Sequence, residues 1–246
     1  MENVKPSPYP QLVTGRVAPA STNLSSPVRQ NPCVFYYVSS EQGIHEDGRT
    51  VWKKVFDEAQ SVDFVLADPT TPESCVAIHG RGFKTTVKVD AVANGSYLLP
   101  GNRLDTLWST GVPSDSPAIQ TLAARNKVKL TESVPGLKGD NRTEPKKMRY
   151  FEFSFDINEQ ILLLGIVTER VGPDGRKMKF LTACQDSTLD AEYFRTYGWS
   201  EQAQQAWHEL MKGGPTLLAS DDSAFFQGVK IEAFDADTIP EVLSGP

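Results

Sequence analysis

One segment of the sequence, His45-Glu46-Asp47, places an imidazole and two carboxylates in consecutive positions. Such side chains can bind divalent metals. The segment continues into Gly48, however, and no second group of ligands follows at a metal-binding spacing. An Asp-Gly pair is typical of a tight turn between two strands. We therefore predict a solvated hairpin turn here and no metal site.

A second segment, from His79 to Lys84, has the sequence His-Gly-Arg-Gly-Phe-Lys. Glycines and basic groups of this kind can surround a phosphate. Their spacing is not that of a P-loop, and no helix is predicted after them. A tight turn between two strands explains both glycines, so we predict no phosphate site.

The thiol of Cys33 is a third candidate, because a cysteine thiol can act as a catalytic nucleophile. It lies in an apolar strand without a neighbouring base, which is typical of a buried structural cysteine. Asp221 and Asp222 offer carboxylates in a polar tail, without an identifiable partner. We therefore predict no catalytic residue and no cofactor. The alternative is an enzyme whose residues come from distant parts of the chain.

Composition and charge indicate which kinds of partner and which compartment to expect. The 246 residues carry a net charge of −6, which disfavours nucleic acid. The longest uncharged apolar run, Ile161–Val167, is far shorter than the roughly 20 residues that cross a bilayer, so we predict no membrane span and leave peripheral association open. The three cysteines are odd in number and far apart, which indicates an intracellular, reducing compartment, either the cytoplasm or an organelle-associated site.

Strand patterns dominate the chain. The segment Cys33–Val38 is almost wholly β-branched and aromatic, and Arg149–Phe155 alternates with three phenylalanines on one face. A helix is predicted for 200–213, with a cap at Ser200 and a stop at Gly213. A shorter helix is predicted near 118–125, with Ile119, Leu122 and Ala123 on its apolar side. The predicted fold class is mostly β (α+β), an antiparallel β-barrel or sandwich with two or three helices and a long irregular insertion.

The predicted organisation has three parts. Residues 1–10 form an extended N-terminal tail, 11–220 form a single β-rich domain, and 221–246 form an acidic C-terminal tail. Glycines and prolines interrupt 92–148 repeatedly, which predicts an insertion in the domain.

Candidate partner-binding residues lie in the insertion and in the N-terminal tail. Trp108, beside Leu107, either fills the core of its own domain or anchors a partner. Pro6, Pro8 and Pro10 predict an extended conformation that a partner can bind.

Two blocks of the sequence resemble the GIDE-type domain, also called the BAM domain. The first block consists of Val13–Val17, Leu24–Pro27, the Pro-Cys-Val-Phe-Tyr-Tyr strand 32–37, Trp52 and Phe64–Asp68. The second consists of Arg149-Tyr-Phe-Glu152 and Ile161–Gly165, with Asn158-Glu159 where the family usually has Gly-Asp. The resemblance covers about 11–90 and 147–220.

Members of that family include membrane-anchored ubiquitin ligases, whose chemistry belongs to a RING domain. A RING needs more zinc ligands than the six Cys and His residues of this chain, three of each, so the ligase activity is not carried over. What the resemblance implies is a β-rich domain that recognises proteins. We therefore expect a non-catalytic protein-binding or structural module, docked in a multi-subunit assembly. The alternative is a substrate-recognition adaptor for a separate ubiquitin ligase.

Overall fold

The computed structural model describes residues 4–68, 75–80, 105–109, 116–135, 141–171, 175–196, 198–211 and 218–220. The strands are β1 (Pro10–Pro19), β2 (Leu24–Ser25), β3 (Pro32–Glu46), β4 (Arg49–Ser61), β5 (Phe64–Ala67), β6 (Cys75–Ile78), β7 (Asp105–Ser109), β8 (Thr131–Pro135), β9 (Asn141–Pro145), β10 (Met148–Asp156), β11 (Gln160–Val171), β12 (Lys177–Thr182) and β13 (Leu218–Ser220). The helices are α1 (Pro117–Arg125), α2 (Ala191–Thr196) and α3 (Glu201–Met211).

Five strands close into a small barrel in the order β1-β5-β6-β12-β11, with β11 pairing back to β1. Strand β13 pairs with the first half of β11, on the edge whose second half pairs with β12. Leu162 and Leu164 of β11 therefore pair with β1 on one side and with β13 on the other. Alternate residues of each barrel strand point inward and form the main core: Val13, Val17, Phe64, Leu66, Val76, Ile78, Ile161, Leu163, Val167 and Leu181.

One pair in the barrel, β6 with β12, is parallel, whereas an antiparallel barrel was predicted. The reason is topological. Strand direction must reverse at every antiparallel pair, so a ring with an odd number of strands cannot be antiparallel throughout. The other four pairs of the ring are antiparallel.

A second sheet, with β3 and β10 at its centre, packs on the barrel. Strand β4 pairs with one edge of β3, and β7 pairs with the far edge of β10. Phe35, Tyr37, Phe153 and Phe155 of this central sheet enter the barrel core, while Tyr36, Val38, Met148 and Tyr150 pack against α1 on the opposite face. Because both faces are covered, β3 is continuously buried from Cys33 to Ser40.

Helix α1 begins at a proline, which suits a first-turn position, and it buries Ile119, Leu122 and Ala123, the apolar side predicted from the sequence. Helices α2 and α3 form a separate aromatic cluster with Trp199 and Trp207. Within the described ranges the longest helix, α3, has 11 residues, and no helix there is long and apolar enough to cross a bilayer.

The mostly β fold class with a minor helical part is confirmed. The segment 92–148 is more regular than predicted, since its described part contains β7, α1 and the β8–β9 hairpin. Its three described prolines stand at the ends of these short elements: Pro117 begins α1, and Pro135 and Pro145 end β8 and β9. Residues 92–104, 110–115 and 136–140 of this segment, and the predicted tail 221–246, lie outside the described residues.

The N-terminal segment is tied to the barrel. The backbone N–H of Ser7 donates to the carbonyl of Val167, and the ring of Tyr9 lies 4.6 Å from that of Tyr193. Pro10 is the first residue of β1 and is buried, so β1 begins one residue before the predicted start of the domain at 11.

Candidate functional site

The His45-Glu46-Asp47 segment ends β3 and begins its turn to β4. Asp47 and Gly48 both have positive φ, +49° and +77°, as a two-residue hairpin turn requires. The Glu46 carboxylate pairs with Lys53 across the hairpin at 2.5 Å. Within the described parts of the chain, no group of three or more His, Cys, Asp or Glu side chains is placed to hold a metal ion.

His79 follows β6 and stacks on Phe180 of β12, with the ring centroids 5.0 Å apart. Its Nδ1 lies 3.4 Å from the carboxylate of Asp63, and the backbone N–H of Gly80 donates to the same carboxylate. A Cβ on Gly80 would lie 2.3 Å from the carbonyl oxygen of Val62. Gly80 is therefore needed for the close approach of two backbones, while Arg81–Lys84 lie outside the described residues.

The thiols of Cys33 and Cys184 are buried, as predicted for Cys33. Burial raises the pKa of each thiol to about 12, and the nearby carboxylates of Asp156 and Glu152 add to the effect at Cys33. Both thiols therefore stay protonated at neutral pH, which makes them poor nucleophiles.

Glu152 is a buried carboxylate in β10 whose role is structural. It accepts hydrogen bonds from the backbone N–H groups of Val28 and Arg29. These groups belong to the turn that follows Ser26-Pro27, and Asn31 closes that turn by donating its N–H to the Ser26 hydroxyl. The negative charge is thus satisfied by backbone donors and by the nearby Arg29 side chain, 3.9 Å away.

The most distinctive surface feature is a cluster on the central sheet, beyond the part that the barrel covers. The guanidinium of Arg149 lies 4.4 Å from the ring centre of Trp52 and 5.1 Å from that of Phe151. It also pairs with the carboxylate of Glu41, its register partner on β3. We name Glu41, Trp52, Lys147, Arg149 and Phe151 the Trp52–Arg149 patch.

A glycine makes room for the patch. Gly43 pairs with Trp52 on β4, and its backbone N–H donates to the carbonyl of Lys147. A Cβ on Gly43 would lie 3.2 Å from both the Trp52 ring and the Lys147 side chain, and 2.9 Å from the Thr50 methyl group. The absence of a side chain therefore lets the indole and the lysine stem lie over the strand, with the Lys147 ammonium 5.4 Å from the indole centre.

The patch residues are held in place yet remain accessible. The side chains of Arg149 and Glu41 are 23% and 26% exposed, and Trp52 and Phe151 are half-buried. Cation–π contacts of this kind contribute about 0.5–1 kcal/mol each at exposed sites. The cluster therefore presents two aromatic side chains and a guanidinium in a fixed arrangement at the surface.

The structure places the five sequence candidates in two different regions. Trp108 and Leu107 lie in β7, in register with Arg149 and Tyr150 respectively. The side chains of Trp108 and Leu107 lie outside the described part of the structure, so the core-or-anchor choice for Trp108 stays a prediction. Pro6 and Pro8 are exposed near the barrel, whereas Pro10 is buried in β1.

Sequence patterns do not predict the patch as a unit. Trp52 and Arg149 belong to separate motifs 97 positions apart, and nothing in the sequence around either residue indicates that they meet. Their contact follows from two registers, Gly43 with Trp52 and Glu41 with Arg149, which place Trp52 and Arg149 beside neighbouring positions on one face of β3. The two motif blocks also meet through β1–β11 and through Glu152 with the Ser26–Arg29 turn.

The chain matches no known family model, no curated protein and no solved structure. The likeness to the GIDE-type domain therefore rests on the sequence motifs and on their order along the chain.

Proposed function

We propose that this chain is a non-catalytic protein-binding module that docks in a larger protein assembly through the Trp52–Arg149 patch. The observation that carries the proposal is the Arg149 guanidinium held between Trp52 and Phe151 on an accessible sheet face. Aromatic residues and arginine are enriched at the centre of protein interfaces, where a few such residues supply most of the binding energy.

The arrangement of the patch also suits docking energetically. Arg149 is constrained by two rings and by Glu41, so its side chain loses less conformational entropy when a partner covers it. Opposite charges on Arg149 and Glu41 offset each other, which lowers the desolvation cost of burying either one. The half-buried rings provide apolar area that a partner can cover.

The family resemblance points in the same direction, because the implied role of the GIDE-type domain is protein recognition. Two of its motif residues, Trp52 and Arg149, are the centre of the patch. A third motif residue, Glu152, holds the turn before β3. Motif residues thus fall into a surface set and a buried structural set.

The test is native chromatography of the tagged full-length chain from an extract of its own cells, with mass spectrometry of the companions. The expected result is a defined complex with stoichiometric partners. Trp52→Ala and Arg149→Ala should each weaken partner binding by about tenfold or more, since interface hot spots cost about 2 kcal/mol or more when truncated. Partners that include a ubiquitin ligase would identify the assembly as a ligase complex.

The matched control is Lys53→Ala, which removes a β4 cation whose ion-pair partner, Glu46, is not part of the patch. It should leave the complex intact, and all variants should unfold cooperatively. A wild-type chain that elutes alone at the mass of one chain would contradict the docking function. A stable complex that tolerates both patch substitutions would contradict only the assignment of the surface.

A further inference from the structure

One cation of the Trp52–Arg149 patch, Lys147, pairs with no carboxylate in the parts of the chain that the structure describes. Two other cations, Lys54 and Arg149, lie on the same face, since both are register partners of Glu41. Arg149 pairs with the Glu41 carboxylate, and Lys54 pairs with that of Asp57 at 2.8 Å. The Lys147 side chain is exposed. Its charge is therefore the one on this described face that no described acid offsets.

The Lys147 ammonium is held in one position beside a second donor. It lies 5.4 Å from the centre of the Trp52 ring and donates a hydrogen bond to the Thr50 hydroxyl oxygen at 3.4 Å. The lysine stem lies over Gly43, where a Cβ would approach it to 3.2 Å. Because the Thr50 oxygen accepts this bond, the hydroxyl hydrogen can be donated to another acceptor. The ammonium and the hydroxyl therefore offer neighbouring donors at the surface.

His45 adds a third donor beside these two. It is the register partner of Thr50, so the two side chains share a face of the β3–β4 hairpin, and both are exposed. An imidazole ring donates a hydrogen bond through at least one nitrogen. Lys147, Thr50 and His45 thus place three donors and one positive charge at the edge of the patch, next to the Trp52 indole.

We propose that the partner of the patch is a protein segment that places an anionic side chain against Lys147, Thr50 and His45 and an apolar side chain against Trp52. The inference rests on the docking function proposed above and names the chemistry that the partner must present. A carboxylate or a phosphorylated side chain accepts hydrogen bonds from the ammonium and the hydroxyl and supplies the charge that Lys147 lacks. Complementary charges at an interface raise the association rate and select among partners.

Nucleic acids and anionic bilayers fit these donors less well. Both bind through several cations at once, because each presents many phosphates. The other two cations described on this face are already paired with Glu41 and Asp57. A single uncompensated ammonium beside an indole matches one anionic side chain next to an apolar one, which a protein segment provides.

The first test needs no natural partner. Hexaglutamate is titrated into the purified full-length chain, and NMR follows the indole N–H signal of Trp52. We expect this signal to shift to saturation in the wild type, and binding should be about fivefold weaker in Lys147→Gln, which loses the charge. The matched control is Lys146→Gln, which removes the same charge one residue away and should bind as the wild type does. A Trp52 signal that does not move, or that moves equally in Lys147→Gln, would overturn the proposal.

The second test uses the companions that co-purify with the tagged chain. Lys147→Glu should retain them about tenfold less well, because it places like charges together, whereas Lys147→Arg should retain them as the wild type does. Retention by the wild type should fall between about 0.1 M and 1 M salt, over which the screening length shortens from about 10 Å to about 3 Å. Phosphatase treatment of the extract distinguishes the two sources of the anion, since only a phosphorylated companion is then lost. Companions lost on nuclease treatment would overturn the proposal in favour of a nucleic acid.

The outcomes separate this inference from the docking function. Companions that are lost in Trp52→Ala but retained in Lys147→Glu would overturn the anionic partner alone. A wild-type chain without companions would contradict the docking function, while the hexaglutamate titration would still decide whether Lys147 binds an anion. Because the Lys147 side chain is exposed, its variants should keep the wild-type unfolding midpoint, which thermal unfolding checks.

Discussion

Strands β3 and β10 run side by side through the central sheet, and on one face of this pair the two ends differ in what covers them. At the inner end, Phe35 lies 5.1 Å from Phe155 and 6.1 Å from Phe153, all within the barrel core. At the outer end, on the same face of β10, Phe151 and Arg149 take the corresponding positions and meet Trp52. The same alternation of β10 therefore continues from a buried core into an accessible patch.

The difference shows how one strand face serves two purposes. Where the barrel covers the face, aromatic rings pack edge-on or tilted against other rings, which excludes water. Where the barrel ends, the rings pack on a guanidinium, whose charge stays partly hydrated and is paired with Glu41. An aromatic row can thus remain at the surface in a fixed arrangement, ready to be covered by a partner.

The largest expected contrast is between two neighbouring phenylalanines of β10. Phe153→Ala should lower the free energy of unfolding by about 3–5 kcal/mol, because it leaves a cavity in the barrel core. Phe151→Ala should lower the free energy of unfolding by about 1 kcal/mol, because the ring is only half-buried and water fills the space that it leaves. Urea unfolding of both variants measures the difference. Equal losses would show that the outer end is as much a part of the core as the inner end.

Alkaline unfolding sharpens the comparison through Cys33, at the inner end. Burial, and then the Asp156 and Glu152 carboxylates, raise the pKa of this thiol from 9.0 to about 12. The unfolded thiol ionises near pH 9 and the folded one does not, so its contribution to stability is fully present below pH 9 and is lost as the pH rises towards 12. Between pH 9 and 11 the wild type should lose on the order of 1–2 kcal/mol more than Cys33→Ala, as measured by urea unfolding across that range. Parallel curves for the two proteins would contradict the predicted effect.

The smallest expected effect concerns the ion pair of the outer end. A double-mutant cycle of Glu41→Gln and Arg149→Gln should give a coupling of about 0.5–1 kcal/mol, since both side chains are mostly shielded. The exposed Glu46–Lys53 pair of the same hairpin should give about 0.2 kcal/mol, because solvent screens it. Thermal or urea unfolding provides both couplings. A coupling at Glu41–Arg149 no larger than that at Glu46–Lys53 would mean that the patch is not preorganised.

Several local features were predictable from the sequence. The Asp47-Gly48 turn, the β3 and β10 strands, and the apolar side of α1 at Ile119, Leu122 and Ala123 lie where their patterns place them. These predictions depend on the conformation of a few neighbouring residues, such as the positive φ that glycine allows and the period of a strand or helix. A short stretch of sequence is therefore enough to predict each of them.

The sequence itself determined a mostly β chain with an acidic net charge, a two-residue turn after Glu46 and a buried Cys33. Only the tertiary structure decided that β1 returns to β11 and closes an odd-stranded barrel with one parallel pair. The same holds for Trp52 and Arg149, whose contact depends on how two distant strands align on β3. Strand registers are set by long-range packing of whole faces, and a shift of one residue would turn every one of these side chains to the other face. For that reason the Trp52–Arg149 patch forms only in the folded chain, and the sequence around its individual residues does not predict it.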